Sequence, residues 1–348
     1  FHLGPMAGHI VRARARRHRR PRRASQSHRR ASQGQRDAHG TKSAFPQMFA
    51  RANDALTRAP PARKRVERCV TMRNRILFER AEIDARTRTV TLRADDARAT
   101  HAREVLRSDV GDRVRAGTID VGACEATIAT MDDDKIVLKL GDDARGRGRP
   151  EIDLLLATPR PKVLRRLWAP LASLGLGRVV LANAQKVERY YFDSKALDAE
   201  TIRGEILRGL EQAGDFLVPQ VGVAMRLPPV VDRLSGALGN SSVTNGFEWL
   251  LDGPRELGWD EFDAADVRLL AHPGDSGTSV AEALEGVDAR RSRVLIAVGP
   301  EGGWTDYELD LFEGAGFKRV GLGTRTFTTD VACISLVSAV RERLQSWS

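Results

Sequence analysis

The spacing of apolar and polar residues divides the chain into two textures. Between Met72 and about Gly141, the segments RILF, TVTLRA, RVRAGTI and KIVLKL alternate apolar with polar residues or are rich in β-branched side chains. That is the period-2 pattern of half-buried strands. Gly111-Asp112 and Asp132-Asp133-Asp134 supply turns, and AREVLR reads as one or two helical turns. A small β-barrel of about 70 residues accommodates these pieces. From residue 150 onward the apolar runs become continuous. IDLLLA (152–157), RVVLAN (178–183), VRLLA (267–271), RVLIAV (293–298) and RVGLG (319–323) read as strands buried on both faces, with QVGVAM (220–225) as a possible sixth.

Helical patterns separate most of these strands. Over 160–174, Val163, Leu164, Leu167, Trp168, Leu171 and Leu174 share one face, with Lys162, Arg165 and Arg166 opposite. A capping box, Thr305-x-x-Glu308, opens a helix near Asp306 that ends at Gly316. A last helix, about 331–346, turns Ile334, Val337, Val340 and Leu344 inward. The expected class is α/β, a doubly wound parallel sheet with helices on both faces, preceded by the small barrel. GDDARGRGRP (141–150) reads as the linker between them, and 235–262 as a surface insertion.

Charge changes this picture at one end. The 348 residues carry a formal net charge of +10, which points toward nucleic acid. Residues 1–71, however, hold 18 Lys+Arg and three Asp+Glu, and the remainder holds 38 and 43. The basicity therefore belongs to the leader, and any RNA contact by the body must rest on local basic stripes. The leader has too few apolar residues to form a core and reads as disordered. An RNA-binding arm and an organellar transit peptide both fit it. An upstream extension outside the working protein is favoured, because the chain opens on Phe1 and Met72 starts a new texture. No run of about 18 apolar residues is present, which excludes a membrane-spanning helix. The three cysteines (Cys69, Cys124, Cys333) are widely spaced, which excludes a cysteine-built zinc site or disulfide framework and suits the cytoplasm.

Candidate chemistry lies at strand ends, since open parallel sheets bind ligands beyond their carboxyl edges. After VRLLA comes His272-Pro273-Gly274. After RVLIAV comes Gly299-Pro300-Glu301-Gly302-Gly303-Trp304, and after RVGLG comes Thr324-Arg325-Thr326-Phe327-Thr328-Thr329-Asp330. The expectation is two glycine-bearing turns at neighbouring strand tips, offering backbone amides to a ligand. Neither the lysine of a phosphate-binding P-loop nor the Gly-x-Gly-x-x-Gly spacing of a dinucleotide fold is present.

VGPEGGWTDYEL, followed about twenty residues later by LGTRTFTTDVACISLVSAV, resembles the signature of the RsmE-type 16S ribosomal RNA uracil-N3 methyltransferases of the SPOUT class. Met72-Arg73 with RILF is similar to that family's start, DDARATHAREVLRSDVGDRVR to its barrel and LRGLEQAG (207–214) to one of its helices. The resemblance covers roughly residues 72–346. It implies a PUA-like RNA-binding barrel (72–146) and a SPOUT domain (150–348) whose parallel sheet carries a trefoil knot. It also implies S-adenosylmethionine as cofactor, ribosomal RNA within a small-subunit particle as substrate, and a homodimer with shared active sites. Carried over by resemblance, His272, Pro273, Gly299, Pro300, Glu301, Gly302, Gly303, Leu322, Gly323, Arg325 and Thr328 bind the cofactor.

The last motif departs from the family. Where relatives read Leu-Gly-x-Arg-x-Leu-Arg-x-Glu-Thr-Ala, this chain has Thr328 for the second arginine, Asp330 for the glutamate and Val331 for the threonine. Arg325 and Asp330 are the catalytic candidates. A uracil N3 must lose its proton before attacking a methyl group, so Arg325 stabilises the anion and Asp330 accepts or relays the proton. Arg73, Arg75, Lys162, Arg165, Arg166, Arg189 and Tyr190 are candidate RNA contacts, each with solvation or packing as the plain alternative. The functional reading is methylation of uracil N3 in small-subunit ribosomal RNA. The alternatives are a SPOUT enzyme acting on a ribose hydroxyl or another base, and an assembly factor that binds RNA without methylating it.

Overall fold

The computed structural model describes residues 74–145, 151–235, 247–251, 265–273, 278–288 and 292–344. The leader, Met72, Arg73, half of the 141–150 linker and most of the 235–262 insertion lie outside the described residues.

The first sheet comprises β1 (Ile76–Phe78), β2 (Thr89–Arg93), β3 (Arg113–Thr118), β4 (Gly122–Met131), β5 (Lys135–Leu140) and β6 (Ala144–Arg145). Its order is β1-β3-β4-β5-β2, with β6 paired to β4. The alternation seen in the sequence is the alternation of burial: Val90, Leu92, Ile136, Leu138 and Leu140 all turn into one core. AREVLR falls in a helical stretch, α1 (Ala97–Thr100) continuing as a wider turn through Val105. Ala144–Arg145 corrects the linker reading, because this pair bonds to Gly122 and Ala123 as a short strand.

The second sheet runs β10-β9-β8-β7-β13-β11-β14-β12. Its members are β7 (Ile152–Ala157), β8 (Arg178–Ala182), β9 (Gln220–Ala224), β10 (Phe247–Leu251), β11 (Val267–Ala271), β12 (Thr278–Ser279), β13 (Val294–Val298) and β14 (Lys318–Gly321). All neighbours are parallel except β10. Phe247–Leu251 corrects the reading of 235–262 as surface insertion throughout, since it closes one edge as an antiparallel strand on β9.

Helices cover both faces. On one side lie α2 (Pro161–Leu174), α3 (Ala199–Ala213), α5 (Val280–Ala283) and α7 (Thr329–Leu344). On the other lie α4 (Leu227–Leu234) and α6 (Asp306–Gly314). Leu154 and Leu156 of β7 point to the first side, Leu155 and Ala157 to the second, so this strand reads as a continuous apolar run. The α2–α3 contact is close because Gly209 lies on Ala169; a Cβ there would stand 2.2 Å from the Ala169 carbonyl oxygen. The buried stripe of α7 is Cys333, Leu336, Val337 and Val340, while Ile334 and Leu344 are only partly buried.

At the amino-terminal edge of this sheet sits a buried charge cluster. Asp153 of β7 and Arg178 of β8 are both 0% exposed. Arg293 Nε donates to Asp153 at 2.7 Å, and Arg178 Nε donates to Gln220 at 2.9 Å. Burial pushes the Asp153 carboxyl upward, and the two guanidinium groups oppose that shift.

Candidate active site

Strands β13, β11 and β14 lie side by side and parallel, so their carboxyl ends emerge on one edge. Ala271-His272-Pro273 leaves β11, Gly299 to Trp304 leaves β13, and Gly321 to Phe327 spans the end of β14 and the turn beyond. The two glycine-bearing turns therefore do not sit on neighbouring strands. β11 intervenes, and they flank His272, whose backbone N–H donates to the Val320 carbonyl at 3.1 Å.

These turns enclose a cavity of about 330 Å³, within the range that holds a small organic ligand. His272, Pro273, Gly299, Pro300, Glu301, Gly302, Gly303, Leu322, Gly323 and Arg325 all line it. Thr329, Ala332 and Leu336 bring the first turns of α7 into the wall, together with Trp304 and Phe327. Arg325 is the one Arg or Lys among the described lining residues. Gly303 and Gly323 have φ of +69° and +92° with open space where a Cβ would go. Glycine is required there for its left-handed backbone, not for room.

The β13 turn is bolted down from outside its own motif. The Pro300 carbonyl accepts from Gly303 N at 2.8 Å. Glu301 accepts from the Arg160 backbone N–H at 3.0 Å, at the entrance to α2. Lys186 Nζ donates to the carbonyls of Gly302 (2.9 Å) and Trp304 (3.3 Å). Buried Glu308 completes the expected capping box with Thr305 and also accepts from Gln185 N at 2.8 Å. A pinned turn presents its amides without paying to order them when a ligand arrives.

Thr328 and Asp330 are placed differently from the cofactor loops. Thr328, expected to contact the cofactor, is not among the residues lining the cavity; its hydroxyl donates to Asp330 Oδ1 at 2.5 Å. Asp330 also leaves the lining and accepts from Arg166 of α2 at 2.6 Å. The Thr328 hydrogen bond, with smaller help from Arg166, holds the Asp330 carboxyl below its ordinary 3.8. Because the folded value is depressed, the contact's stabilisation is complete above pH 3.8 and is lost as pH falls through the folded value. An NMR titration is expected to place the Asp330 midpoint below 3.8, and Thr328→Val to move it upward. A native midpoint at or above 3.8 contradicts this geometry.

The remaining candidates separate by environment. Arg75 is a strap rather than a free RNA contact: its side chain donates to the Gly214 and Ala116 carbonyls, and its backbone N–H to Glu211 O, joining the first sheet to the end of α3. Lys162 and Arg165 stand exposed on α2 as the helical pattern predicts, and Arg166 is engaged by Asp330. Arg189 and Tyr190 are exposed on the segment after β8, while Tyr191 is buried. Lys186 and Arg160 are site residues that motif reading missed, while Trp304 comes from within the β13 glycine motif itself. Lys186 lies 116 positions from Gly302, and only the strand order reveals their meeting.

A family model described as an RNA methyltransferase domain matches residues 147–341. Ribosomal RNA small subunit methyltransferase E of Treponema pallidum (strain Nichols) is 28% identical over 279 residues, covering 79% of this chain and 92% of that protein. Ribosomal RNA small subunit methyltransferase E 1 of Borreliella burgdorferi is 20% identical over 241 residues, covering 69% and 88%. The crystal structure of a ribosomal RNA small subunit methyltransferase E from Neisseria gonorrhoeae bound to S-adenosyl methionine has a TM-score of 0.52 at 15% identity, covering 77% of this chain and 96% of that one. With the domain model spanning more than half its length, the chain belongs to the RNA methyltransferase domain family.

Proposed function

We propose that this protein methylates uracil N3 in small-subunit ribosomal RNA, using S-adenosylmethionine. The observation that carries the reading is the convergence of three adjacent strand-end turns on a cavity that Arg325 enters as its one arginine or lysine among the described lining residues. The relatives from Treponema and Borreliella bear small-subunit ribosomal RNA methyltransferase names, and the Neisseria structure is bound to the cofactor.

The residues present fit that cofactor. The cavity has the right size, and glycine turns with left-handed φ leave its walls open for backbone contacts. Gly299, Pro300, Gly302, Gly303, Leu322 and Gly323 hold it in this reading, with His272, Pro273 and Glu301 closing the sides. When bound, it supplies an electrophilic methyl group on sulfonium sulfur. Arg325 faces the same space and stabilises the anion that uracil N3 becomes on losing its proton. Asp330 follows lining residue Thr329 and takes or relays that proton. Its lowered pKa makes it a weak base, so the transfer depends on Arg325 making the imide more acidic.

The same reading makes the first sheet a PUA-like barrel (72–146) and the second the core of a knotted SPOUT domain (150–348). The return of α7 from β14 to pack beside β13, β7 and α2 favours the knot. A homodimer is favoured by Phe327 and Val331, apolar residues exposed at the cavity's mouth and the start of α7. A reducing cytoplasm suits Cys124 and Cys333, both free and buried.

The test uses the purified full chain, S-adenosylmethionine and small ribosomal subunits from a strain lacking the modification. Nucleoside mass spectrometry is expected to show about one 3-methyluridine gained per subunit. A methyl group on ribose or another base refutes the N3 assignment. No methylated nucleoside, with no calorimetric heat from the cofactor, refutes the enzyme reading in favour of a binding factor.

A further inference from the structure

The segment after β8 forms a rigid pedestal beside the cavity. Gln185 N donates to Glu308, and Lys186 holds the Gly302 and Trp304 carbonyls. Val187 and Tyr191 are buried in the core shared by α4 and α6. Through these anchors the segment and the β13 turn are tied together as one body. On this pedestal Tyr190 stands 63% exposed, its ring 4.7 Å from that of Tyr191 and nearly perpendicular at 84°. The Tyr191 phenol in turn faces the Tyr190 hydroxyl and the Arg160 side chain, in the field of Glu301, which lines the cavity.

An aromatic ring this exposed gains little for folding, yet its base is held by a buried neighbour. Two exposed cationic side chains accompany it, Arg189 next in sequence and Arg160 beside the Tyr191 phenol, with exposed Glu188 an acidic residue of the same segment. An exposed ring with arginines close by suits an unpaired nucleotide, whose base stacks while its phosphates meet the positive charge. A protein partner is less well matched, because a single ring offers no contiguous apolar patch.

We infer that Tyr190 is a positioning residue that stacks an unpaired base of the RNA substrate at the rim of the transfer cavity. This rests on the proposed function and adds to it the fixed distance between RNA docking and the methyl-transfer site. Because platform and β13 turn are tied to one another, a base stacked on Tyr190 is registered against the bound cofactor.

The experiment compares Tyr190→Ala and Tyr190→Phe in the full chain. Stacking losses on alanine substitution correspond to about 5- to 150-fold in affinity. Tyr190→Ala is expected to raise the KM for ribosomal RNA within that range, with the affinity for S-adenosylmethionine unchanged. Tyr190→Phe keeps the ring and is expected to restore the native KM. Anisotropy with a labelled single-stranded ribosomal RNA fragment reads the same loss without turnover. It therefore separates failure of the platform from failure of the enzyme reading. An unchanged RNA affinity in Tyr190→Ala overturns the inference, as does Tyr190→Phe behaving like alanine. A shift in sedimentation from dimer to monomer in Tyr190→Ala overturns it in favour of a protein contact.

Discussion

In single-turnover assays, Arg325→Ala is expected to transfer methyl groups about 100- to 1,000-fold more slowly than the native chain, the usual cost of losing a preorganised charge partner. Arg325 is exposed on the turn after β14 and lines the cavity, so its removal leaves the fold intact. The walls are otherwise backbone and apolar side chains, with His272, Glu301, Thr326 and Thr329 as the polar exceptions. The loss should therefore fall on the chemical step, while cofactor affinity changes little. Arg325→Lys keeps the charge without the planar fork and should recover only part of the rate. Undiminished turnover in Arg325→Ala would remove this residue from the mechanism.

The second large effect lies at the opposite end of the sheet. Asp153→Ala strips the carboxylate from two guanidinium groups, one of them on fully buried Arg178. Breaking a buried pair in this way costs about 3–5 kcal/mol, because the surviving charge stays desolvated. By contrast, Asp95→Ala removes the partner of Arg93 in a pair whose side chains are 85% and 78% exposed. Screening by water limits that loss to roughly 0–1 kcal/mol. Urea denaturation of both variants checks the difference, and equal stabilities would show that burial does not govern the Asp153 cluster.

Much of the fold was readable in one dimension. A strand covered by helices on both faces must be apolar at successive positions, and IDLLLA, RVVLA and VLIAV are buried throughout. The Thr305–Glu308 capping box is a contact across three residues, and it forms as its spacing indicates. The edge strand Phe247–Leu251 was not readable. It sits among turn-forming residues, and its pairing with Gln220–Ala224 is a long-range choice that local pattern does not encode.

The site divides along the same line. Sequence by itself determined the glycine turns, the arginine at 325 and their places at strand ends, because backbone freedom and strand polarity are local properties. Tertiary structure alone decided that β11 separates β13 from β14, that Lys186 and Glu301 pin the turn, and that Asp330 turns to Arg166. Those contacts join residues more than a hundred positions apart. Strand order selects them, and strand order is settled by how the whole sheet buries its faces.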